Sequence, residues 1–247
     1  MAPSTCTTCN GTGFEIRNGD DGVTRAVRCS CAYVDQGRVR LRAARIPRRY
    51  EDRSFANFEV HDPTHGEALE VAREWVERWP LVEGEGLLLA GPPGTGKTHL
   101  AVAILDELAR TKNARVLFWE QRDLLKALQD TFAAGSERSE SEVFGPVQQA
   151  EVLVLDDLGA GRITEWARDV LHEMIAHRYN HRLPLILTTN CPIGEEPDTT
   201  PEVLGQLGLA RRLGDALMSR LYEMCRILRF EGRDYRRDFL NARIARH

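Results

Sequence analysis

The chain has 247 residues with a formal net charge of −4, and its hydrophobic (42%) and charged (28%) shares are those of an ordinary soluble protein. That length allows one α/β domain and a small appendage, and the charge excludes nucleic-acid binding through bulk basicity, so any such surface must be a local patch. No run of about 18 apolar residues exists, so no transmembrane helix or membrane contact is expected. The N-terminus lacks a basic-then-apolar signal segment, which implies a cytosolic location with reduced thiols.

Residues 1–35 hold Cys6, Cys9, Cys29 and Cys31, two close pairs with Gly11 and Gly13 after the first. This pattern predicts a tetrahedral four-thiolate Zn²⁺ site whose metal supplies folding energy to a segment too small for its own core. A redox dithiol or four unrelated thiols are the alternatives. Residues 36–60 form a basic stretch with Arg38, Arg40, Arg42, Arg45, Arg48, Arg49 and Arg53. Up to Pro47 it can be a basic helix that meets DNA or an acidic partner, or a solvated linker. Phe55 and Phe58 read as anchors onto the domain that fills residues 61–247.

Leu69, Ala72, Val76 and Trp79 recur at helical spacing, with the tryptophans in the core. The apolar run Leu87–Ala90 predicts a buried strand, followed by Gly91-Pro92-Pro93-Gly94-Thr95-Gly96-Lys97-Thr98 and a helix with Leu100, Ala103, Ile104 and Leu108 on one face. Strand, glycine loop and helix in that order specify a phosphate loop, which binds a nucleoside triphosphate. Backbone N–H groups and the helix N-terminus face the phosphates, Lys97 reaches their outer oxygens and Thr98 ligates Mg²⁺. His99, next along the helix, joins the nucleotide-binding set. A strand over Arg115–Glu120, a helix near Asp123–Thr131 and a small, polar, mobile loop over Ala133–Ser141 come next.

Val152–Leu155 predicts a second buried strand with Asp156 and Asp157 at its carboxyl end, where ligands bind in parallel sheets. Asp156 is placed to hold Mg²⁺, and Asp157 to orient or deprotonate water. Leu185–Leu187 ends in Thr188-Thr189-Asn190, whose amide suits a bond to water or the γ-phosphate. A last strand over Arg226–Phe230 completes a mostly parallel five-stranded sheet in a three-layer α/β sandwich. No N-K-x-D guanine motif is present, which favours ATP over GTP.

Together the phosphate loop, Leu155–Gly159, Thr188–Asn190, Leu217–Cys225, Gly232–Arg236, the Arg45–Tyr50 stretch and the cysteine module resemble the AAA+ ATPases of the DnaC/DnaI/IstB group. The resemblance implies an ATPase that loads the replicative DNA helicase onto single-stranded DNA, grips it through the N-terminal module and self-associates through AAA+ domains. It implies that Asn190 senses the γ-phosphate, that Arg220 is an arginine finger completing a neighbour's site, and that Arg236 is a second sensor, with Arg237 as its rival. It places Phe132, Thr164 and Trp166 against single-stranded DNA, where an exposed aromatic stacks on any base; Trp166 can equally be core. Asp157 departs from the glutamate that many AAA+ members carry, which implies slow or stimulated hydrolysis. The stretch from Asn190 to Gly214 is longer than the group's, with no role assigned to 194–208. Two rivals remain: an IstB-like transposition helper that binds duplex DNA and a transposase, and a zinc-binding adaptor whose ATP site is only structural.

Overall fold

The computed structural model describes residues 6–18, 22–133, 138–194 and 208–240. Five strands, β3 (Gly86–Ala90), β4 (Val116–Glu120), β5 (Val152–Asp156), β6 (Leu185–Thr189) and β7 (Cys225–Arg229), form one sheet in the order β4-β5-β6-β3-β7. Every pairing is parallel. Both faces of β3, β5 and β6 are covered, which is why these strands read as unbroken apolar runs rather than alternating ones.

Alternate strand residues feed two cores. Leu87, Leu89, Val116, Phe118, Val152, Val154 and Ile186 pack with α2 (Pro63–Glu77) and α3 (Lys97–Thr111). Leu88, Leu117, Leu153, Leu155 and Leu187 pack on the other side with α4 (Gln121–Thr131), α5 (Glu140–Gln149) and α6 (Glu165–Asn180). Two further helices, α7 (Leu209–Leu213) and α8 (Asp215–Met224), close that side. The three-layer sandwich of the sequence reading is therefore the fold.

Asp62 accepts from the Thr64 N–H at 2.9 Å and Pro63 opens α2, so cap and fixed φ start that helix together. Trp75 is buried in the core, its indole N–H donating to the Glu85 carbonyl. Leu100, Ala103, Ile104 and Leu108 are buried as expected, and Ala101, Val102 and Leu105 are buried with them, because α3 lies against the sheet, α2 and a further helix at once. The loop expected over Ala133–Ser141 ends early, since Ser139 and Glu142 form a capping box that starts α5 at Glu140. Residues 134–137 of that expectation lie outside the described residues. The last strand begins at Cys225, one residue ahead of its expected start.

Ahead of the sandwich, a hairpin of β1 (Phe14–Asn18) and β2 (Thr24–Arg28) leads into α1 (Ser30–Ala43). The basic helix thus begins inside the cysteine segment rather than after it. It lies across α3, and at Gly37 the backbones meet: a Cβ there would sit 2.7 Å from the Ala109 carbonyl oxygen. Ala44 is fully buried and its carbonyl accepts from the Phe118 N–H at 2.7 Å on edge strand β4. Arg45 stacks its guanidinium 3.6 Å above the Trp119 ring. With Phe58 also buried, residues 44–58 are part of the domain body and not a solvated linker.

Candidate nucleotide site

The phosphate loop joins β3 to α3, and its glycines hold backbone angles closed to other residues: Gly94 has φ +80° and Gly96, at the helix cap, φ +101°. A Cβ on Gly94 would lie 2.0 Å from a carboxylate oxygen of Asp234, so the C-terminal segment rests directly on the loop. The Lys97 ammonium donates to the carbonyls of Gly91 (2.8 Å) and Pro92 (2.6 Å). Burial lowers its pKa to about 8, against the opposing pull of Asp156 and Asp157.

Across the loop, Asp156 accepts from the hydroxyls of Thr98 at 2.8 Å and Thr188 at 2.6 Å. Burial raises its pKa despite those two bonds. The hydroxyl and carboxylate that stand together are the hard oxygen donors Mg²⁺ prefers, so Thr98 and Asp156 fit that ion. Asp157, at φ +57°, accepts from the Asn190 amide at 2.7 Å, while its own N–H donates to Thr188. Strand ends 31 to 58 residues apart in sequence thus meet in one network, as the sequence spacing leads one to expect.

These groups line a cavity of about 530 Å³. Its far wall was not legible in the sequence: Arg49, Tyr50, Arg53, Asn57 and Glu59 come from the stretch read as basic linker and anchors, and His61 follows directly after it. The missed signal is His99, whose ring nitrogen lies 3.1 Å from the Ser54 carbonyl and 3.0 Å from the Asn57 amide oxygen, clamping that stretch to α3. Phe58 packs edge-on against the His99 ring at 5.1 Å. Arg236 lines the cavity, whereas Arg237 turns to Asp238 at 2.8 Å, so the geometry separates the two second-sensor candidates.

Arg220 is not brought to this cavity; on α8 its guanidinium lies 2.7 Å from the His172 ring nitrogen. Phe132 is 64% exposed and stands edge-on to Trp166 at 6.5 Å, while Thr164 caps α6 through the Ala167 N–H. Trp166 is partly buried and packs on the core, as one of its two readings expects. The Sγ atoms of Cys6, Cys9, Cys29 and Cys31 all lie within 4.8 Å of one another. Two of the separations are 3.8 Å and 3.3 Å, close to the edge of about 3.8 Å that Zn–S bonds near 2.3 Å set in a tetrahedron. Backbone N–H groups of Cys9 and Thr8 lower the Cys6 thiol to about 6, while the shared proton with Cys9 pushes Cys31 up. Four thiols at this spacing are the soft donors that Zn²⁺ takes, so the donor set fits zinc. Residues 195–207, in the stretch longer than the group's, lie outside the described residues.

Residues 35–241 match the family described as IstB-like ATP binding protein. The chain belongs to that family. Among its relatives, the replicative helicase loader DnaC of Escherichia coli (strain K12) is 29% identical over 171 residues, which cover 68% of this chain and 66% of that one. A protein of Sinorhizobium fredii (strain NBRC 101917 / NGR234), named as an insertion-sequence ATP-binding protein, is 37% identical over 134 residues, 54% of this chain and 43% of its own. A crystal structure of the DnaC helicase loader is 32% identical with a TM-score of 0.64 and is covered in full by 75% of this chain. The sandwich is thus the AAA+ P-loop fold of a DnaC-like member of the IstB-like family, and its phosphate loop is an ATP site. No helix among the described residues is long and apolar enough to cross a membrane.

The Lys97 pKa gives this ATP site a pH dependence. ATP phosphates favour the ammonium, so above the free protein's value of about 8 binding must take up a proton. Affinity for ATP is expected to be flat below pH 8 and to fall by up to about tenfold per pH unit above it. Calorimetric titrations from pH 7 to 9.5 in buffers of different ionisation enthalpy read both the affinity and the proton uptake; pH-independent affinity throughout would refute it.

Proposed function

We propose that this chain is an ATP-dependent loader of the replicative DNA helicase that acts on single-stranded DNA in the cytosol. One observation carries the reading: an AAA+ body that spans the whole of the DnaC crystal chain is joined, through a helix laid on α3, to a four-thiol module. The module would be the grip on the helicase, with Zn²⁺ held by Cys6, Cys9, Cys29 and Cys31. AAA+ domains of successive copies would associate so that Arg220 faces a neighbour's ATP, and its distance from its own cavity supports action in trans. Phe132, Trp166 and the Thr164-capped start of α6 form one face for stacking on bases and holding phosphate.

Hydrolysis would be in-line attack of water on the γ-phosphate. Mg²⁺, held by Thr98 and Asp156, would offset phosphate charge; Lys97, Arg220 of the neighbour and Arg236 would do the rest, with Asn190 and Asp157 on the water side. A finger supplied in trans makes turnover slow until copies assemble. The second reading is a transposition helper bound to duplex DNA and a transposase, which the insertion-sequence relative favours.

The test is co-elution with the host replicative helicase in the presence of ATP. Deleting residues 1–60 would also strip Arg49–Glu59 from the cavity, so the comparison is the full chain against a Cys9→Ser, Cys31→Ser variant. The full chain should co-elute with the helicase; the variant should lose the complex and keep its ATP affinity. Failure of the intact chain to bind helicase, with capture of transposase and duplex DNA instead, would establish the second reading. In the same preparation, metal analysis should find one Zn²⁺ per chain, absent from the variant; a zinc-free wild type would remove the metal from the account.

A further inference from the structure

β4 and β5 pair in register with Glu120 opposite Asp156. Both follow the alternation that sends Phe118 and Val154 to the α3 side, so both carboxyls leave the sheet on the face where Thr98 meets Asp156. Glu120 lines the nucleotide cavity with Lys97, Asp156, Asp157 and Asn190. Its neighbours are already committed: Asp156 holds two hydroxyls and Asp157 holds the Asn190 amide. Glu120 alone of the three makes no hydrogen bond or ion pair among the described residues.

We propose that Glu120 is a catalytic residue of ATP hydrolysis, the carboxylate that takes the proton of the attacking water. The proposal rests on the hydrolase reading given above and names the base within it. As the water oxygen bonds to the γ-phosphorus, the bond from that phosphorus to the β,γ-bridging oxygen breaks. ADP leaves with the electron pair, and the water's proton passes to the Glu120 carboxylate, to be returned to solvent with phosphate.

Two physical arguments favour Glu120 over Asp157 for this step. Asp157 is one methylene shorter, and its carboxylate is already engaged by the Asn190 amide at 2.7 Å. Glu120 is half-buried, reaches one methylene further from the same end of the sheet, and its carboxylate has no committed partner among the described residues. In this chain a glutamate at the end of the neighbouring strand would then supply what an aspartate at 157 supplies poorly.

Single-turnover hydrolysis of Mg-ATP by the full chain, with single-stranded DNA and helicase present, is compared for wild type, Glu120→Gln and Asp157→Asn. ATP affinity and the Mg²⁺ dependence are measured beside it. Glu120→Gln should cut the rate about 100-fold or more with ATP affinity within about threefold, and Asp157→Asn should cut it less. Wild-type turnover surviving Glu120→Gln overturns the assignment while leaving hydrolysis intact. So does a defect that saturating Mg²⁺ restores, which would make Glu120 a metal-holding group. Absence of turnover in a wild type that binds Mg-ATP overturns the hydrolase reading itself, and the assignment with it.

Discussion

Lys97→Ala should abolish measurable ATP binding while leaving the fold and the thiol module unchanged. Two charge-assisted bonds to phosphate at about 1.5–3 kcal/mol each amount to a loss of affinity of at least about 100-fold. Stability should not fall with it. In the free protein Lys97 is 6% exposed, and its ammonium, lowered in pKa by burial, donates to the Gly91 and Pro92 carbonyls, with no carboxylate in direct contact among the described residues. Removing a poorly compensated buried charge is close to neutral for the fold, because the desolvation cost goes with the bonds. Fluorescent-nucleotide titration, thermal melting and zinc content measured on one preparation separate these effects. An unchanged ATP affinity in the variant would mean that the phosphates sit elsewhere.

The second large effect is expected far from the nucleotide. Arg178, on α6, is fully buried and donates to the carbonyls of Val147 (3.0 Å), Ala150 (3.1 Å), Glu151 (3.3 Å) and Pro184 (2.7 Å). Burial lowers its pKa to about 9. One guanidinium therefore closes the C-terminus of α5 and ties together the starts of β5 and β6, whose other ends carry Asp156 and Asn190. Arg178→Ala takes the guanidinium donor from four carbonyls, of which, among the described residues, only that of Pro184 keeps a further partner, the Leu153 N–H at 3.5 Å, and should destabilise by about 3–5 kcal/mol. At about 2–4 °C per kcal/mol for a chain of this size, Tm should drop by roughly 10 °C or more. Arg178→Lys, with a charge but no planar fork, should fall between. Urea and thermal unfolding check both; a Tm for Arg178→Ala within about 2 °C of wild type would contradict the account.

How far the sequence reached differs from residue to residue, for physical reasons. The phosphate loop, Asp156 and Asn190 were legible because their chemistry is spelled locally: glycines beside a lysine, acids at the end of an apolar run. Glu120 and Arg178 were not, since each takes its meaning from atoms that meet it only after folding, and a glutamate or arginine in isolation reads as surface. The Arg49–His61 wall was hidden by its own charge, which resembles that of any solvated stretch. Helix α5 was lost because Gly145 and Pro146 break its pattern, although Ser139 and Glu142 had announced its start. The α3 surround escaped because periodicity reports one buried face and cannot count the elements packed around a helix.

The crossing at Gly37 has a thermodynamic corollary. Helix α1 is anchored at one end in the cysteine cluster and rests, backbone on backbone, upon the same α3 whose first turn carries Lys97 and Thr98. The two helices touch directly at this crossing, so a ligand that repositioned one would press on the other. Linkage then requires equality: whatever factor ATP imposes on affinity at the thiol end, a partner docked at that end imposes on ATP. A single methyl group at Gly37, by wedging the helices apart, would weaken both effects by the same factor.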